Sequence, residues 1–279
     1  MIIAVASGKG GTGKTLIATS LALAAGGNAQ LLDCDVEEPN AAIFIKPKIE
    51  KSLKASVLVP EVNENKCNHC GKCAEVCEYN AIVSAKNKVL IFPALCHSCG
   101  ACALLCPRQA IIEKPRDIGV IDVGSRNELS FVQGCLNVGE AMSPPLIRQV
   151  KQLIEPDKTV IIDAPPGTSC PVIAAVKGSD FCLLVTEPTP FGLNDLKLAV
   201  AMVRKLQLPF GVIINRADIG DDKTQRYCAE NDIPILMEIP FDREIAALYS
   251  KGVLLIEGKP EYRQRFIDLL AAVGRGGQK

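Results

Sequence analysis

An unbroken apolar run, IIAVAS from Ile2, opens the chain, and it predicts a buried strand over residues 1–7. A glycine-rich stretch follows, and then a helical segment from about Lys14 to Ala25. QLLDCD, residues 30–35, reads as a second buried strand. Strand, loop, helix and strand in that order is how a parallel, doubly wound sheet begins. Further apolar strands are expected over Gly119–Val123, Thr159–Asp163, Phe181–Thr186 and Phe210–Asn215, with a shorter one at Ile235–Ile239. Helical segments separate most of them, notably Pro145–Ile154 and Leu193–Leu206. The fold class expected is therefore α/β, with a mostly parallel sheet.

Between Pro60 and Pro115 this rhythm breaks. CNHCGKCAEVCEYNAI from Cys67 and CHSCGACALLCPRQAI from Cys96 align without a gap, 29 residues apart. Because strand and helix patterns resume afterwards, the stretch reads as an insertion. The expected organisation is one discontinuous domain, 1–59 with 116–279, and a small α+β domain over 60–115.

Composition sharpens this picture. The chain has 13 cysteines in 279 residues, eight of them between Cys67 and Cys106. No leader precedes the first strand, so a cytoplasmic location is expected, and there dense cysteine indicates metal rather than disulfides. A net charge of zero gives no electrostatic case for nucleic acid or an anionic membrane as partner. The longest apolar stretch, LIATSLALAAGG, is too short to span a bilayer. The amphipathic tail from Glu261 is expected to pack on its own domain.

Gly8-Lys9-Gly10-Gly11-Thr12-Gly13-Lys14-Thr15 fits G-x-x-x-x-G-K-[ST]. The glycines let backbone N–H groups close around phosphate oxygens, and the helix that follows adds its dipole. Lys14 is placed to reach the β and γ phosphates, and Thr15 to ligate Mg²⁺. A strand before and a helix after weigh against a mere glycine-rich turn. Asp163, in VIIDAPPG, is placed to hold Mg²⁺ through water, and Gly167 to act as a switch. Of Asp33 and Asp35, one is expected to orient the attacking water and the other to be structural.

GKGGTGKT, DCDVEEPN, DAPPGTS and Asn215-Arg216 together resemble the MinD/Mrp/nitrogenase-iron-protein group of P-loop ATPases. The resemblance covers the chain outside the cysteine block. It implies a dimer, with a copy of itself or a related ATPase chain, in which Lys9 reaches the partner's nucleotide. It also selects Asp35 over Asp33 for the water. Asn215, beside Arg216, is assigned to adenine, and the turn Pro240-Phe241-Asp242 to the base pocket. Residues 215–218, NRAD, also look superficially like a guanine-reading N-K-x-D, but Arg replaces Lys and the resemblance favours ATP.

Cys67, Cys70, Cys73 and Cys77 follow C-x₂-C-x₂-C-x₃-C, and Cys96, Cys99, Cys102 and Cys106 repeat it, as in two-cluster ferredoxins. One [4Fe–4S] cluster is expected on Cys67, Cys70, Cys73 and Cys106, the other on Cys96, Cys99, Cys102 and Cys77. Zinc, the rival, needs only four ligands and favours paired C-x-x-C units farther apart. Glu78 stands where the second run has Pro107, and a carboxylate there is expected to lower a cluster's potential. His69 and His97 are expected to be exposed spacers. Cys34, Cys182 and Cys228 read as core residues.

Cys135 and Cys170 resemble the positions from which the nitrogenase iron protein shares one cluster across its dimer axis. Two loop or interior cysteines are the alternative. The function expected is a Mg-ATP-hydrolysing dimeric switch coupled to iron–sulfur clusters. It would act in electron transfer, or in assembly and delivery of a metal–sulfur centre, with a redox or metal-cofactor protein as partner. The competing reading is a MinD-like spatial organiser whose clusters are structural or redox-sensing. The C-x-x-C that Mrp-type carriers hold near the C-terminus is absent from this sequence.

Overall fold

The computed structural model describes residues 1–276 and places the opening apolar run, β1 (Ile2–Ser7), inside a sheet. In chain order there follow β2 (Ala29–Asp33), β3 (Lys48–Val62), β4 (Ile82–Ala85), β5 (Lys88–Ile91) and β6 (Ile111–Arg126). Then come β7 (Leu129–Leu136), β8 (Thr159–Pro166), β9 (Phe181–Thr186), β10 (Phe210–Asn215) and β11 (Ile235–Ile239). One sheet has the order β11-β10-β9-β1-β8-β2-β7-β6-β3, and its run from β11 to β7 is parallel throughout. Parallel strands are covered on both faces, so they are mostly apolar, and β1, β2 and β9 are buried along almost their whole length. The fold is a doubly wound α/β sheet.

Helices Lys14–Ala24 and Glu261–Gly276 belong to the same core as β1 and β2. Ile17, Leu21 and Phe266 are fully buried among Ile3, Leu31 and Ile161. The amphipathic tail is thus packed on the sheet, as its pattern suggests. Cys34, Cys182 and Cys228 are likewise buried.

Several elements differ from expectation. β2 stops at Asp33, so Asp35 lies in the loop beyond the strand. β8 continues past Asp163 to Pro166, which places the carboxylate inside the sheet. The strand expected over 119–123 is the end of the much longer β6. β3 was not expected at all, because the first half of its KIEKSLKASVLVPEV sequence is exposed and shows no apolar face. Helix Cys170–Val176 was also unforeseen, its run being short and led by proline.

Two compact units divide the chain, with cuts inside β3 and β6, at the end of β7 and inside the helix Pro144–Lys151. One comprises Met1–Leu53, Ile121–Cys135 and the chain from Ile147 on; the other comprises Lys54–Val120 and Leu136–Leu146. In the second unit the 29-residue sequence repeat is also a backbone repeat. Short helices Lys72–Glu75 and Ala101–Leu104 each follow a left-handed glycine, Gly71 (φ 77°) and Gly100 (φ 73°). His69 and Ser98 match at φ 56° and 55°, and Asn80 and Gln109 at 51° and 45°. Asn63 N–H donates to the Ala110 carbonyl (2.7 Å) as Phe92 N–H does to that of Ala81 (2.8 Å). The antiparallel hairpin β4–β5 joins the two halves.

Candidate nucleotide site and cysteine cavities

The loop between β1 and helix Lys14–Ala24 is held by close approaches that only glycine permits. A Cβ on Gly8 would lie 2.3 Å from the Asp195 carbonyl oxygen. One on Gly13 (φ 94°) would lie 2.5 Å from Asn215 Nδ2. That Asn215 amide donates to the Thr12 carbonyl (2.9 Å), tying the end of β10 to the loop. A cleft of about 1020 Å³ opens here, lined by Gly10, Gly11, Gly13, Lys14, Thr15, Asp35, Asn215, Arg216, Pro240 and Asp242. Gly8, Lys9, Thr12 and Asp163 are not on its wall. Glu38 and Asn40 are, both inside the DCDVEEPN motif though given no role from it, and so are Ile245 and Tyr249, which no sequence signal marked.

Lys14 is the electrostatic centre. Its Nζ lies 2.9 Å from Asp163 Oδ1 and 3.4 Å from Asp35 Oδ2. Burial pulls its pKa down, but Asp163 and Asp35 outweigh that and the net shift is upward. Asp163 is fully buried, and its second oxygen, Oδ2, has no hydrogen-bond partner among the described residues. A buried carboxylate oxygen left over in this way suits a metal-bound water.

Asp33 and Asp35 divide their tasks through the backbone. Asp33 is fully buried and accepts N–H groups from Asp35 (3.1 Å), Asn40 (3.0 Å) and Ala41 (2.9 Å), bracing the loop after β2. Burial, and then Asp163, push its pKa up. Asp35 lines the cleft, and burial pushes it up to about 6.

A carboxyl raised in this way binds its proton more tightly folded than unfolded. Stability therefore falls as pH rises from the ordinary Asp value, about 4, to about 6. Asp35→Asn is expected to flatten that decline and to leave the nucleotide-free protein about 1–2 kcal/mol more stable at pH 7. Urea titrations at pH 4.5 and pH 7 check this, and a variant with the parental pH profile would contradict it.

The remaining base-side residues are cross-tied. Glu187, almost fully buried, pairs with Arg216 Nη1 (2.7 Å) and with Lys9 Nζ (3.5 Å), whose side chain is one-third exposed. Asp218 of NRAD accepts the Phe241 backbone N–H, holding the Pro240-Phe241-Asp242 turn. Asp242 caps helix Arg243–Ser250 by accepting Glu244 N–H (2.7 Å), and its bond to Lys259 holds its pKa down. Gly167 (φ 100°) donates its N–H to the Ser7 carbonyl (2.9 Å). Cys135, near the end of β7, and Cys170, at the start of its helix, are both exposed. β7, β2 and β8 are parallel, so both cysteines follow the C-terminal edge of the sheet, as the phosphate loop does.

In the second unit the eight clustered cysteines sort into two cavities. Cys67, Cys70, Cys73 and Cys106 line one of about 350 Å³, and Cys96, Cys99, Cys102 and Cys77 line another of about 370 Å³. Each takes three cysteines from one copy of the repeat and one from the other. Backbone N–H groups point at sulfur: Ala81 to Cys77 and Ala110 to Cys106, each 3.3 Å, and Ser98 to Cys96, 3.4 Å. At Cys106 the upward effect of burial is outweighed by such donors, and the thiol pKa is lowered. No three His, Cys, Asp or Glu side chains among the described residues close around a single metal ion. His97 is exposed and stacked on Tyr79 (3.6 Å between centroids), while His69 Nδ1 lies 3.9 Å from Cys67 Sγ.

A glycine loop between a parallel strand and a helix, with a buried lysine on two carboxylates, defines a P-loop nucleotide-binding protein. The chain belongs to the CobQ/CobB/MinD/ParA nucleotide-binding domain family, whose model matches residues 3–256. The uncharacterized protein MJ0578 of Methanocaldococcus jannaschii is 35% identical over 274 residues, 96% of this chain and 95% of its own. An iron–sulfur cluster carrier protein of Pyrococcus horikoshii is 25% identical over 165 residues, 49% of this chain and 56% of its own. The fold is similar to that of the cell division ATPase MinD of Pyrococcus furiosus, with a TM-score of 0.60, 20% identity and 98% of each chain covered. No helix among the described residues is long and apolar enough to cross a membrane.

Proposed function

We propose that the chain is a dimeric, Mg-ATP-hydrolysing switch coupled to two [4Fe–4S] clusters, and that ATP gates electron transfer or the delivery of a metal–sulfur centre. The observation that carries this reading is the sorting of eight cysteines into two four-cysteine cavities in a chain that also holds a phosphate loop. The donor set suits the clusters: four thiols to a cavity, with backbone N–H groups aimed at the sulfurs of Cys77, Cys96 and Cys106. The clusters, when bound, supply one-electron chemistry. A relative that carries iron–sulfur clusters adds support.

In the nucleotide cleft Lys14 meets the β and γ phosphates, exchanging Asp163 and Asp35 for the ligand. Thr15 would ligate Mg²⁺, the free oxygen of Asp163 would hold it through water, and Asp35 would align the attacking water. Asn215, Arg216 and the Pro240–Asp242 turn border the base, which we take as adenine. Asp218 is occupied by the Phe241 N–H, and that weighs against a guanine-reading role. Lys9 leaves Glu187 to reach the nucleotide of a partner, a second copy or a related ATPase chain. Cys135 and Cys170, both exposed, are the candidates for a third cluster shared across that dimer.

The test compares the anaerobically prepared protein with and without Mg-ATP, measuring the rate at which electrons or iron–sulfur clusters reach an added acceptor protein. ATP is expected to change that rate. If it alters only binding to lipid or to a partner, the organiser reading replaces this one. Iron per chain decides the third cluster, about eight without it and about ten with it.

A further inference from the structure

The two cavities share a backbone repeat and a ligand set, so a difference in charge between them comes from side chains, most directly those at equivalent positions 29 residues apart. Lys72 and Arg108 line the cavity of Cys67, Cys70, Cys73 and Cys106, and at the matching places the other cavity has Ala101 and Tyr79. Beyond Gly71 lies the neutral Ser84, whereas beyond Gly100 lies Glu113, its Oε1 3.7 Å from where a Cβ would sit. After the fourth cysteine the first cavity has Pro107 and the second Glu78.

Counter-charges leave the contrast standing. Lys72 shares its charge with Glu75 at 3.5 Å, so Arg108 is the main cation of the first cavity. Arg116 acts on Cys96 in the second, but it is neutralised by a two-pronged pair with Glu140, at 3.0 Å for one prong.

Resting on the iron–sulfur reading above, we infer that the two centres form a directional pair, and that electrons pass from the Cys96/Cys99/Cys102/Cys77 centre to the Cys67/Cys70/Cys73/Cys106 centre. One-electron reduction adds one negative charge to a centre. Glu113, on the wall of the second cavity, opposes that charge there, with the exposed Glu78 next to Cys77 adding to it, while Arg108 and Lys72 favour it at the first. One electron so passed would oxidise the second centre by one unit and reduce the first by one, with no bond or proton changing hands.

The test is a potentiometric titration of the anaerobic full-length protein, with dithionite as reductant and electron paramagnetic resonance as readout, after iron is counted. Two reduction waves are expected. Cys70→Ser should remove the higher-potential wave and Cys99→Ser the lower. Glu113→Gln should move the lower wave up, and Arg108→Gln should move the higher wave down. About eight irons per chain with a single wave, with the order reversed, or with waves indifferent to both charge changes would overturn the inference alone. An iron-free protein would overturn the cluster reading and this inference with it.

Discussion

Replacing Lys14 by methionine is expected to lower Mg-ATP hydrolysis by at least about a hundredfold, the usual cost of deleting one charged group that meets the developing phosphate charge. The same ammonium neutralises Asp163 and Asp35 in the nucleotide-free cleft. Losing it leaves carboxylates buried against one another, and a cost of about 3 kcal/mol in stability is expected. Lys14→Arg separates the two effects. It keeps the charge among the carboxylates, and so most of the stability, but its planar fork is a poor substitute for a point charge on two phosphates. Steady-state hydrolysis and thermal denaturation of both variants check this. Full hydrolysis by either one would remove Lys14 from the role assigned to it.

The other large effect concerns the exchange of cysteines between the two repeats. Cys106→Ser is expected to remove about four of about eight irons, and the loss should fall on the centre of Cys67, Cys70 and Cys73 rather than on the residues near it in sequence. A second substitution reveals the pairing. Cys70→Ser with Cys106→Ser should remove no more iron than either alone, because both damage one cavity. Cys70→Ser with Cys77→Ser should empty both. If instead Cys106 behaves as a partner of Cys99, each repeat holds its own centre and the crossed arrangement is wrong.

The P-loop half of the molecule is written locally. β1, its glycine turn and helix Lys14–Ala24 announce themselves because a buried parallel strand is apolar throughout and the turn tolerates only glycine at Gly13. The cysteine spacing likewise carries its own chemistry. What escapes sequence reading depends on long-range partners. Residues 48–54 of β3 are exposed, so strand pairing rather than an apolar face defines them. Asp33 and Asp35 look alike in DCD; the resemblance tells them apart, but the physical reason, three backbone donors to Asp33, is visible only in the fold. Glu187, which holds Lys9 and Arg216 together, has no motif around it.

Because each cavity takes its last sulfur from the opposite repeat, neither copy is self-sufficient. A chain carrying one copy would offer three thiols to an open hollow and strand the fourth. Losing either half would spoil both pockets together. The two copies therefore depend on each other, and what distinguishes the two pockets is the side chains around the sulfurs.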